Sequence, residues 1–419
     1  MYLKEVNIQN FRGIESCQLH FHDKMNLIIG ENGVGKTSIL EAIAVGLGGV
    51  ICDLDGVSKK NLSHEDFRKE YKKVGDGSYT QKTCLPLAIG CKAILGDSEY
   101  EWERTKDTQK SIVPVMQSRQ IAKIATKLVD MEDSLLPILS YQSASRIWTQ
   151  TKESKADAGK ETMRLRGYAD SLTASLGKKQ ILAWCAKMEQ IAWQKERAIG
   201  EYEGVKTAVS QFMTIMEGNQ ECVLYYDKQS EDIFYVKNGN AESISSLSAG
   251  YQSIVWMAFD VAYRMALLNP HLRENIRETP GIVLIDEPDA HLHPEWQWLL
   301  TKALRTVFPN IQLIIASHSP IILASVREGE IIDVSDSNDI SYEEPAYGLD
   351  INDTLHQIQD SKGVPAEIAE LQKKFDSAMD QEDMAAAEEA VVAIEAAVGD
   401  RPIAVAARTE FELETAWRK

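Results

Sequence analysis

Eight residues near the start of the chain, Gly30-Glu31-Asn32-Gly33-Val34-Gly35-Lys36-Thr37, have a spacing suited to phosphate chemistry. They follow the apolar run 25–29 and open the apolar-periodic stretch 37–47, which predicts a strand, a tight loop and a helix. Glycines let backbone N–H groups turn towards an anion, and the helix N-terminus adds its positive dipole end. We therefore predict a nucleoside triphosphate site. Its loop residues are Asn32, Gly33, Gly35, Lys36, Thr37 and Ser38.

Two pairs of side chains could act on the phosphates and on a metal ion. Lys36 can reach the β- and γ-phosphates, and the Thr37 hydroxyl can ligate Mg²⁺. A second apolar run, 281–285, ends in Asp286 and Glu287. We expect Asp286 to hold Mg²⁺ through water and Glu287 to orient or deprotonate the attacking water. The alternative is an acidic loop that only caps the next helix.

Two further segments could contact the terminal phosphate. Ser248 and Gly250 precede the apolar helix pattern 254–268, so Ser248 is either an ordinary N-cap or part of a second anion site. His318 follows the apolar run 313–316. It is either a structural histidine or a hydrogen-bond partner of the γ-phosphate or the attacking water. The neighbouring motifs favour the functional interpretation of both.

His291 and His293 lie in the turn that follows the carboxylate pair. No third ligand is evident from the spacing, so we expect a turn packed at a subunit contact rather than a metal pair.

The remaining pattern predicts the elements that must position these residues. Residues 50–80 are polar and helix-like, whereas 150–216 are almost wholly helical, with Trp184 and Trp193 packed between helices. The tail, 363–419, is Ala- and Glu-rich with helical periodicity, broken at 399–402. The predicted strands are 2–8, 17–21, 83–93, 99–104, 136–141, 222–226 and 232–237, and Gln142 follows one of them.

Composition limits the class of protein. A formal net charge of −18 argues against a chain that coats DNA by bulk attraction, although 59–73 has a local positive excess that we expect on a solvated helix face. The six cysteines form no C-x-x-C pair, which favours free thiols in a reducing cytoplasm. Neither a signal peptide nor a membrane-spanning apolar run is evident, so we expect a cytoplasmic protein without a membrane partner.

Together these motifs resemble the ABC-type ATPase heads of the SMC, RecF and OLD group. The resemblance implies an α/β fold, a P-loop NTPase with a mixed sheet flanked by helices, and the cofactors ATP and Mg²⁺. The turn 10–13 is similar to that group's N-terminal element, whose arginine, here Arg12, lies near the nucleotide. Gln142 stands where the family has its Q-loop, a further contact for Mg²⁺. Segment 247–250 is similar to the ABC signature, Asp286-Glu287 to Walker B and His318 to the switch histidine.

A narrower likeness runs through 261–320 to bacterial ATPases such as the ATPase subunits of Septu and retron-linked phage-defence systems. It implies an ATP-bridged homodimer or higher oligomer that regulates a partner nuclease, such as one of HNH type, in anti-phage defence. The alternatives are a DNA-repair ATPase of RecF type, which would bind nucleic acid, and a transporter subunit, which the turns 10–13 and 289–294 disfavour.

Two departures from the family qualify this expectation. The insertion after Walker A is short and lacks sustained heptads, so we do not expect this chain to tether DNA with long coiled-coil arms. The region after His318 is too short and too helical for a Toprim nuclease, so we expect no intrinsic nuclease. The expected parts are a Walker A lobe (1–148), a short helical insertion (149–220), a lobe with the signature, Walker B and switch histidine (221–345) and a C-terminal helical docking or oligomerisation segment (346–419).

Overall fold

The computed structural model describes most of the chain as two compact units, 1–348 and 349–419. The residues described are 1–31, 33–57, 59–74, 79–110, 118–144, 163–173, 177–335, 340–349 and 365–417.

The elements are numbered in chain order. The strands are β1 (Tyr2–Phe11), β2 (Ile14–His20), β3 (Met25–Ile29), β4 (Lys69–Lys73), β5 (Tyr79–Thr83), β6 (Leu87–Leu95), β7 (Ser98–Lys106), β8 (Ile138–Gln142), β9 (Cys222–Asp227), β10 (Asp232–Lys237), β11 (Asn240–Ser243), β12 (Gly281–Asp286), β13 (Ile311–Ala316), β14 (Glu330–Asp333) and β15 (Ser341–Glu343). The helices are α1 (Lys36–Leu47), α2 (Arg119–Asp130), α3 (Lys178–Lys195), α4 (Gly200–Met216), α5 (Ala249–Leu268), α6 (Pro294–Val307), α7 (Pro320–Ser325), α8 (Ala366–Asp380), α9 (Met384–Val398) and α10 (Pro402–Trp417).

A six-stranded sheet with the order β15-β14-β3-β13-β12-β8 forms the centre of the larger unit. All its pairings are parallel except β14 with β15. Strands β3, β8, β12 and β13 are buried along their whole length, as expected for parallel strands covered on both faces. Since parallel strands end at the same edge, the residues after β3, β12 and β13 are brought together there.

A second, antiparallel sheet with the order β2-β1-β6-β7 covers α1. Strands β1 and β2 alternate between buried and more exposed residues, so one face packs on the helix and the other faces solvent. Helix α1 approaches closely at Gly46, whose carbonyl accepts a 2.8 Å hydrogen bond from Trp102 Nε1. A Cβ at position 46 would overlap the Cys91 sulfur.

The described residues of 50–80, namely 50–57, 59–74 and 79–80, contain no helix, so the prediction is wrong for them. The backbone of Arg68 donates to the carbonyl of Asn10 over 3.0 Å, and Phe67 forms a bridge with Phe11. This pairing along the end of β1 directs the following residues into strand β4, which pairs antiparallel with β5. A contact distant in sequence thus overrides the local composition.

The helical region before β9 is described from residue 163 onwards, apart from 174–176. Trp184 packs edge-on against Tyr202 and Tyr263, as predicted. Trp193 is 74% exposed, so its predicted packing is wrong. It lies in the last turn of α3, beyond the buried residues of that helix, the last of which is Met188.

The smaller unit contains helices α8, α9 and α10, with a core of apolar side chains from all three. Phe375, Ile394 and Ala404 represent the three helices in that core. The predicted break is confirmed: α9 ends at Val398, Gly399 has a φ of +66°, and Pro402 begins the next helix.

A buried polar network joins α5 to strand β8. Arg264 Nε donates to Asp260 Oδ2 over 2.8 Å, and its Nη1 donates to the carbonyls of both Gly167 and Ala169. Asp260 Oδ2 also accepts from the amide of Gln142 over 2.8 Å. Both charged side chains are buried, and each is the other's counter-ion.

We predict that Arg264→Met lowers the free energy of unfolding by about 3–5 kcal/mol, because Asp260 would stay buried without its counter-ion. The double variant Asp260→Leu/Arg264→Met should recover most of that loss. Urea denaturation measures both. Arg305→Met, which breaks an exposed pair with Glu328, is the matched control and should cost at most about 1 kcal/mol. Equal losses in the two single variants would contradict the prediction.

Candidate nucleotide-binding site

The loop between β3 and α1 needs its glycines. Gly33 and Gly35 have φ values of +87° and +107°, in the left-handed region that favours glycine. Gly35 is the N-cap of α1 and supplies no side-chain cap, so no side chain competes there with an anion for the first N–H groups of the helix. Ser38 is half-buried in the first turn, and Asn32 lies outside the described residues.

The Lys36 ammonium lies within this loop. Nζ donates to the carbonyls of Gly30 over 2.9 Å and Glu31 over 3.2 Å, and it contacts His318 Nδ1 at 3.1 Å. Burial lowers the pKa of Lys36, opposed by the nearby carboxylates, Glu287 first among them. The cation is thus held at the centre of the loop by oxygen and nitrogen acceptors, the kind of partner that a phosphate oxygen would replace.

Thr37 and Asp286 meet at the carboxyl edge of the parallel sheet. The Thr37 hydroxyl lies 3.0 and 3.2 Å from the two carboxylate oxygens of Asp286. Asp286 is the last residue of β12 and is 1% exposed. A hydroxyl and a carboxylate at this separation provide the oxygen ligands that Mg²⁺ prefers.

Glu287 leaves the strand in a left-handed conformation, with a φ of +44°. Its backbone N–H donates to the carbonyl of Ala316 over 2.9 Å, which fixes the turn to the end of β13. Burial raises the pKa of Glu287 to about 7, with the charges of Asp289 and Asp286 adding to the shift. Carboxyl groups with a pKa in this range are suited to general-base chemistry near neutral pH.

His318 joins the lysine to the glutamate. Its Nδ1 contacts Lys36 Nζ, and its Nε2 lies 3.3 Å from Glu287 Oε1. Because an ammonium has only donors, Nδ1 must accept, and the neutral ring then carries its proton on Nε2, facing Glu287. Burial and the charge of Lys36 both lower the histidine pKa, which agrees with a neutral ring.

Gln142 and Arg12 lie beside this edge but have other partners. The Gln142 amide donates to Asp260 and Ser140, so helix α5 holds it. Arg12 pairs with Asp66 over 3.1 Å and with Glu41, which lies one helical turn beyond Thr37 on α1. Sequence reasoning missed Asp260 and Glu41. The i, i+4 spacing from Thr37 would have pointed to Glu41.

The segment with Ser248 and Gly250 forms the start of α5. Ser248 Oγ accepts from the backbone of Tyr251 over 3.4 Å, as an N-cap does. Gly250 packs on the carbonyl of His291, where a Cβ would overlap the oxygen. Among the hydrogen bonds of the described residues, none joins Ser248 to Lys36 or Thr37. Within one copy, segment 247–250 thus packs against the loop that follows Glu287.

That loop is fixed by side-chain hydrogen bonds. Ser317 Oγ donates to Asp289 Oδ1 over 2.5 Å, and His293 Nδ1 accepts from the backbone of Glu295 at the start of α6. His291 has a φ of +65°. Within the described parts of the chain, no group of three His, Cys, Asp or Glu residues is placed to hold a metal ion.

The chain is similar to several known proteins. One family model, described as "AAA domain", matches residues 5–211, and a second, "AAA domain, putative AbiEii toxin, Type IV TA system", matches 209–324. The chain is 23% identical over 381 residues to the "Retron Vc95 probable ATPase" of Vibrio cholerae, covering 78% of this chain and 72% of that protein. It is 24% identical over 339 residues to the "Septu protein PtuA" of Bacillus mycoides, covering 79% of this chain but only 40% of the relative.

Among solved structures, an SMC head bound to the C-winged helix domain of ScpA matches with a TM-score of 0.50 and 15% identity, covering 82% of this chain and 97% of that one. The chain has the fold of an ABC-type ATPase head. The predicted fold class and the resemblance to SMC/RecF-type heads and to the retron and Septu ATPases are thereby confirmed. Within the described residues, no helix combines the length and the hydropathy that a membrane crossing needs.

The raised pKa of Glu287 predicts a pH-dependent gain in stability for Glu287→Gln without nucleotide. The folded-state pKa of about 7 exceeds the ordinary value of 4.5, so ionisation destabilises the folded state as pH rises between these values. The variant should therefore melt a few degrees higher than the parent at about pH 8 and nearly the same at about pH 5.

Differential scanning fluorimetry measures both midpoints. Glu65→Gln, at an exposed carboxyl, is the control and should change neither. A gain of the same size at both pH values would show that Glu287 does not ionise as described.

Proposed function

We propose that this chain binds and hydrolyses ATP as a nucleotide-gated regulator. The observation that supports it most is a hydrogen-bonded series of side chains, Lys36–His318–Glu287, beside the hydrogen-bonded pair Thr37–Asp286. It combines a phosphate-binding cation, Mg²⁺ ligands and a carboxyl with a pKa of about 7 in one place. The AAA-domain matches and the "probable ATPase" relative support the same activity.

Each residue has a distinct role in the proposed reaction. The amides of the loop 33–37 and the Lys36 ammonium bind the phosphates, while Thr37 and Asp286 hold Mg²⁺. Mg²⁺, when bound, neutralises charge that develops on the β- and γ-phosphate oxygens. Glu287 orients the attacking water and accepts its proton. His318 donates from Nε2, either to Glu287 or to the γ-phosphate once it is present, and so holds the catalytic carboxylate in position.

The second part of the proposal is that two copies close around the nucleotide. Ser248 is exposed at the N-terminus of the 20-residue helix α5, where the N–H dipoles favour an anion. No hydrogen bond joins Ser248 to the loop 33–37 of its own copy within the described residues, which agrees with a second copy bringing it to the γ-phosphate. Loss of that phosphate on hydrolysis removes the contact that favours the closed dimer.

The third part concerns the effector. The likeness to the Septu and retron ATPases supports a chain that gates a partner nuclease, such as one of HNH type, in phage defence. In this proposal the chain acts in the cytoplasm and leaves the nuclease chemistry to its partner. The second candidate is a repair ATPase of RecF type. A 45-residue segment that is 49% identical to the "DNA replication and repair protein RecF" of Bacillus thuringiensis supports it, although the segment spans 11% of this chain.

We predict that Glu287→Gln slows ATP hydrolysis by at least about 10²-fold while ATP still binds, because only the proton acceptor is lost. Phosphate release measures turnover, and titration with a fluorescent ATP analogue measures affinity. Lys36→Ala should instead lose affinity. Glu65→Gln, at an exposed carboxyl that is not part of the hydrogen-bonded series, is the matched control with normal turnover. Normal turnover in the Glu287 variant would remove Glu287 from its role.

Mixing two inactive variants tests the shared site. Lys36→Ala and Ser248→Arg should each abolish turnover, since every site in either homodimer lacks one component. A mixture should regain activity, because a mixed dimer holds one site with an intact Lys36 from one copy and an intact Ser248 from the other. Sedimentation of Glu287→Gln with ATP should show a dimer. A mixture as inactive as its parts, with no ATP-dependent dimer, would contradict shared sites.

Co-expression with the protein encoded by the neighbouring gene distinguishes the two candidate functions. A nuclease that copurifies with this chain and becomes toxic only in cells challenged with phage would support the defence role. ATP hydrolysis stimulated by DNA in the isolated chain, without a nuclease partner, would support the repair role.

A further inference from the structure

The hairpin of β4 and β5 is separate from the larger sheets. These strands pair only with each other among the described residues, and most of their residues are exposed. Tyr71 and Tyr79 are 63% and 66% exposed. A two-stranded hairpin that leaves two aromatic rings in water gains little from them in the isolated chain. Packing in the protein core therefore does not explain why two tyrosines stand at these exposed positions.

The strand register puts both rings on one face. Lys69 lies opposite Thr83, Tyr71 opposite Gln81, and Lys73 opposite Tyr79, and residues at these alternate positions share a face of the hairpin. We call this set, Lys69, Tyr71, Lys73 and Tyr79, the Tyr71 face. The opposite face carries Glu70 opposite Lys82 and Lys72 opposite Thr80.

The charge of this hairpin contrasts with that of the chain. Residues 68–83 include five cationic and two anionic side chains, in a protein with a net charge of −18. Arg68 is neutralised by Glu15 at 2.7 Å and by Glu70 at 2.9 Å. Lys69 and Lys73, by contrast, form no ion pair with any described residue. The Tyr71 face thus presents two cations and two rings with no acidic side chain at its described positions.

We propose that the Tyr71 face binds single-stranded nucleic acid. Tyr71 and Tyr79 are diagonal neighbours, a spacing of about 7–8 Å between the two residues that gives each ring room to stack on its own base. Lys69 and Lys73 flank the rings and would contact the phosphates. A duplex is a poor fit, because its base faces are stacked internally and cannot reach the rings. An acidic protein surface would use the lysines but not this pairing of rings.

The base of the hairpin is bonded to the loop that contacts α1. Arg68 donates its backbone N–H to Asn10, and the Arg12 N–H donates to the carbonyl of Asp66 over 2.7 Å. Arg12 in turn pairs with Glu41 on α1, the helix that opens with Lys36 and Thr37. A single nucleic-acid strand bound to the Tyr71 face would therefore be connected to the candidate nucleotide site through a few hydrogen bonds and one ion pair. The binding itself does not depend on the proposed ATPase role.

Fluorescence anisotropy with the nucleotide-free full chain tests the proposal. The probes are labelled oligothymidylate, labelled oligouridylate and a labelled duplex of equal length. We expect saturable binding of the single strands and weaker binding of the duplex. Comparison of the two single strands distinguishes DNA from RNA as the preferred form.

Tyr71→Ala/Tyr79→Ala should weaken single-strand binding at least about tenfold, whereas Tyr71→Phe/Tyr79→Phe, which keeps both rings, should stay within about twofold of the parent. Lys73→Ala and Lys72→Ala remove the same charge from opposite faces. Lys73→Ala should reduce the slope of log affinity against log salt by about one, and Lys72→Ala by less. Circular dichroism confirms that each variant folds.

The proposal would be overturned by no saturable binding of either single strand, by tighter binding of the duplex, or by a tyrosine-to-alanine variant that binds like the parent. The lysine pair keeps it falsifiable if that variant fails to fold, because equal effects of Lys72→Ala and Lys73→Ala would exclude a specific face. None of these readouts uses ATP, so they remain interpretable if the ATPase proposal is wrong.

Discussion

The parallel pairing of β13 with both β3 and β12 is the constraint on which the candidate site depends. Strand β3 leads into the phosphate loop, β12 ends in Asp286, and β13 ends just before His318. Because parallel strands share a carboxyl edge, these three connections meet although they are far apart in the sequence. A shift of one strand by two residues would move its terminal side chain about 7 Å along the strand axis, away from the shared edge, and separate the groups.

The charges collected at this edge explain its internal bonding. Lys36, Asp286, Glu287 and Asp289 lie close together in a partly dehydrated place, where an unpaired charge is costly. The neutral His318 ring accepts from the ammonium and donates towards a carboxylate, and thereby links groups that would otherwise require water. Thr37 and Ser317 each donate a hydroxyl to an aspartate, Asp286 and Asp289 respectively. An arriving triphosphate would find the cation and the hydroxyl of Thr37 already oriented, at the cost of exchanging their present partners.

Strands that are determined by the local pattern of apolar residues were predicted correctly from the sequence. The apolar runs before Lys36, Asp286 and His318 are strands, because a continuous apolar run bounded by glycine and polar residues suits a strand buried on both faces. Since motif spacing also implies which strands are adjacent, the meeting of Thr37 with Asp286 could be anticipated. The role of these residues remains a proposal, but their juxtaposition is a structural fact.

Features set by distant contacts could not be predicted in this way. Strands β4 and β5 pair with each other because 66–68 pair with the end of β1, a contact that local composition does not encode. Gln142 points to Asp260, 118 residues away in the sequence, and not to the phosphate loop. Trp193 lies beyond the packed part of its helix, and periodicity does not show where a neighbouring element ends.

The contact of Gly250 with the carbonyl of His291 has a mechanical consequence. Because Gly250 has no side chain, the backbone at the start of α5 packs directly on the backbone of the loop that begins at Glu287. A small displacement of either segment is therefore passed to the other. A bound partner that displaces the N-terminus of α5 would thereby also shift the Glu287 carboxyl, which lies a few residues before His291 in the same loop. A displacement at the surface where α5 begins is in this way transmitted to the candidate site by direct backbone contact.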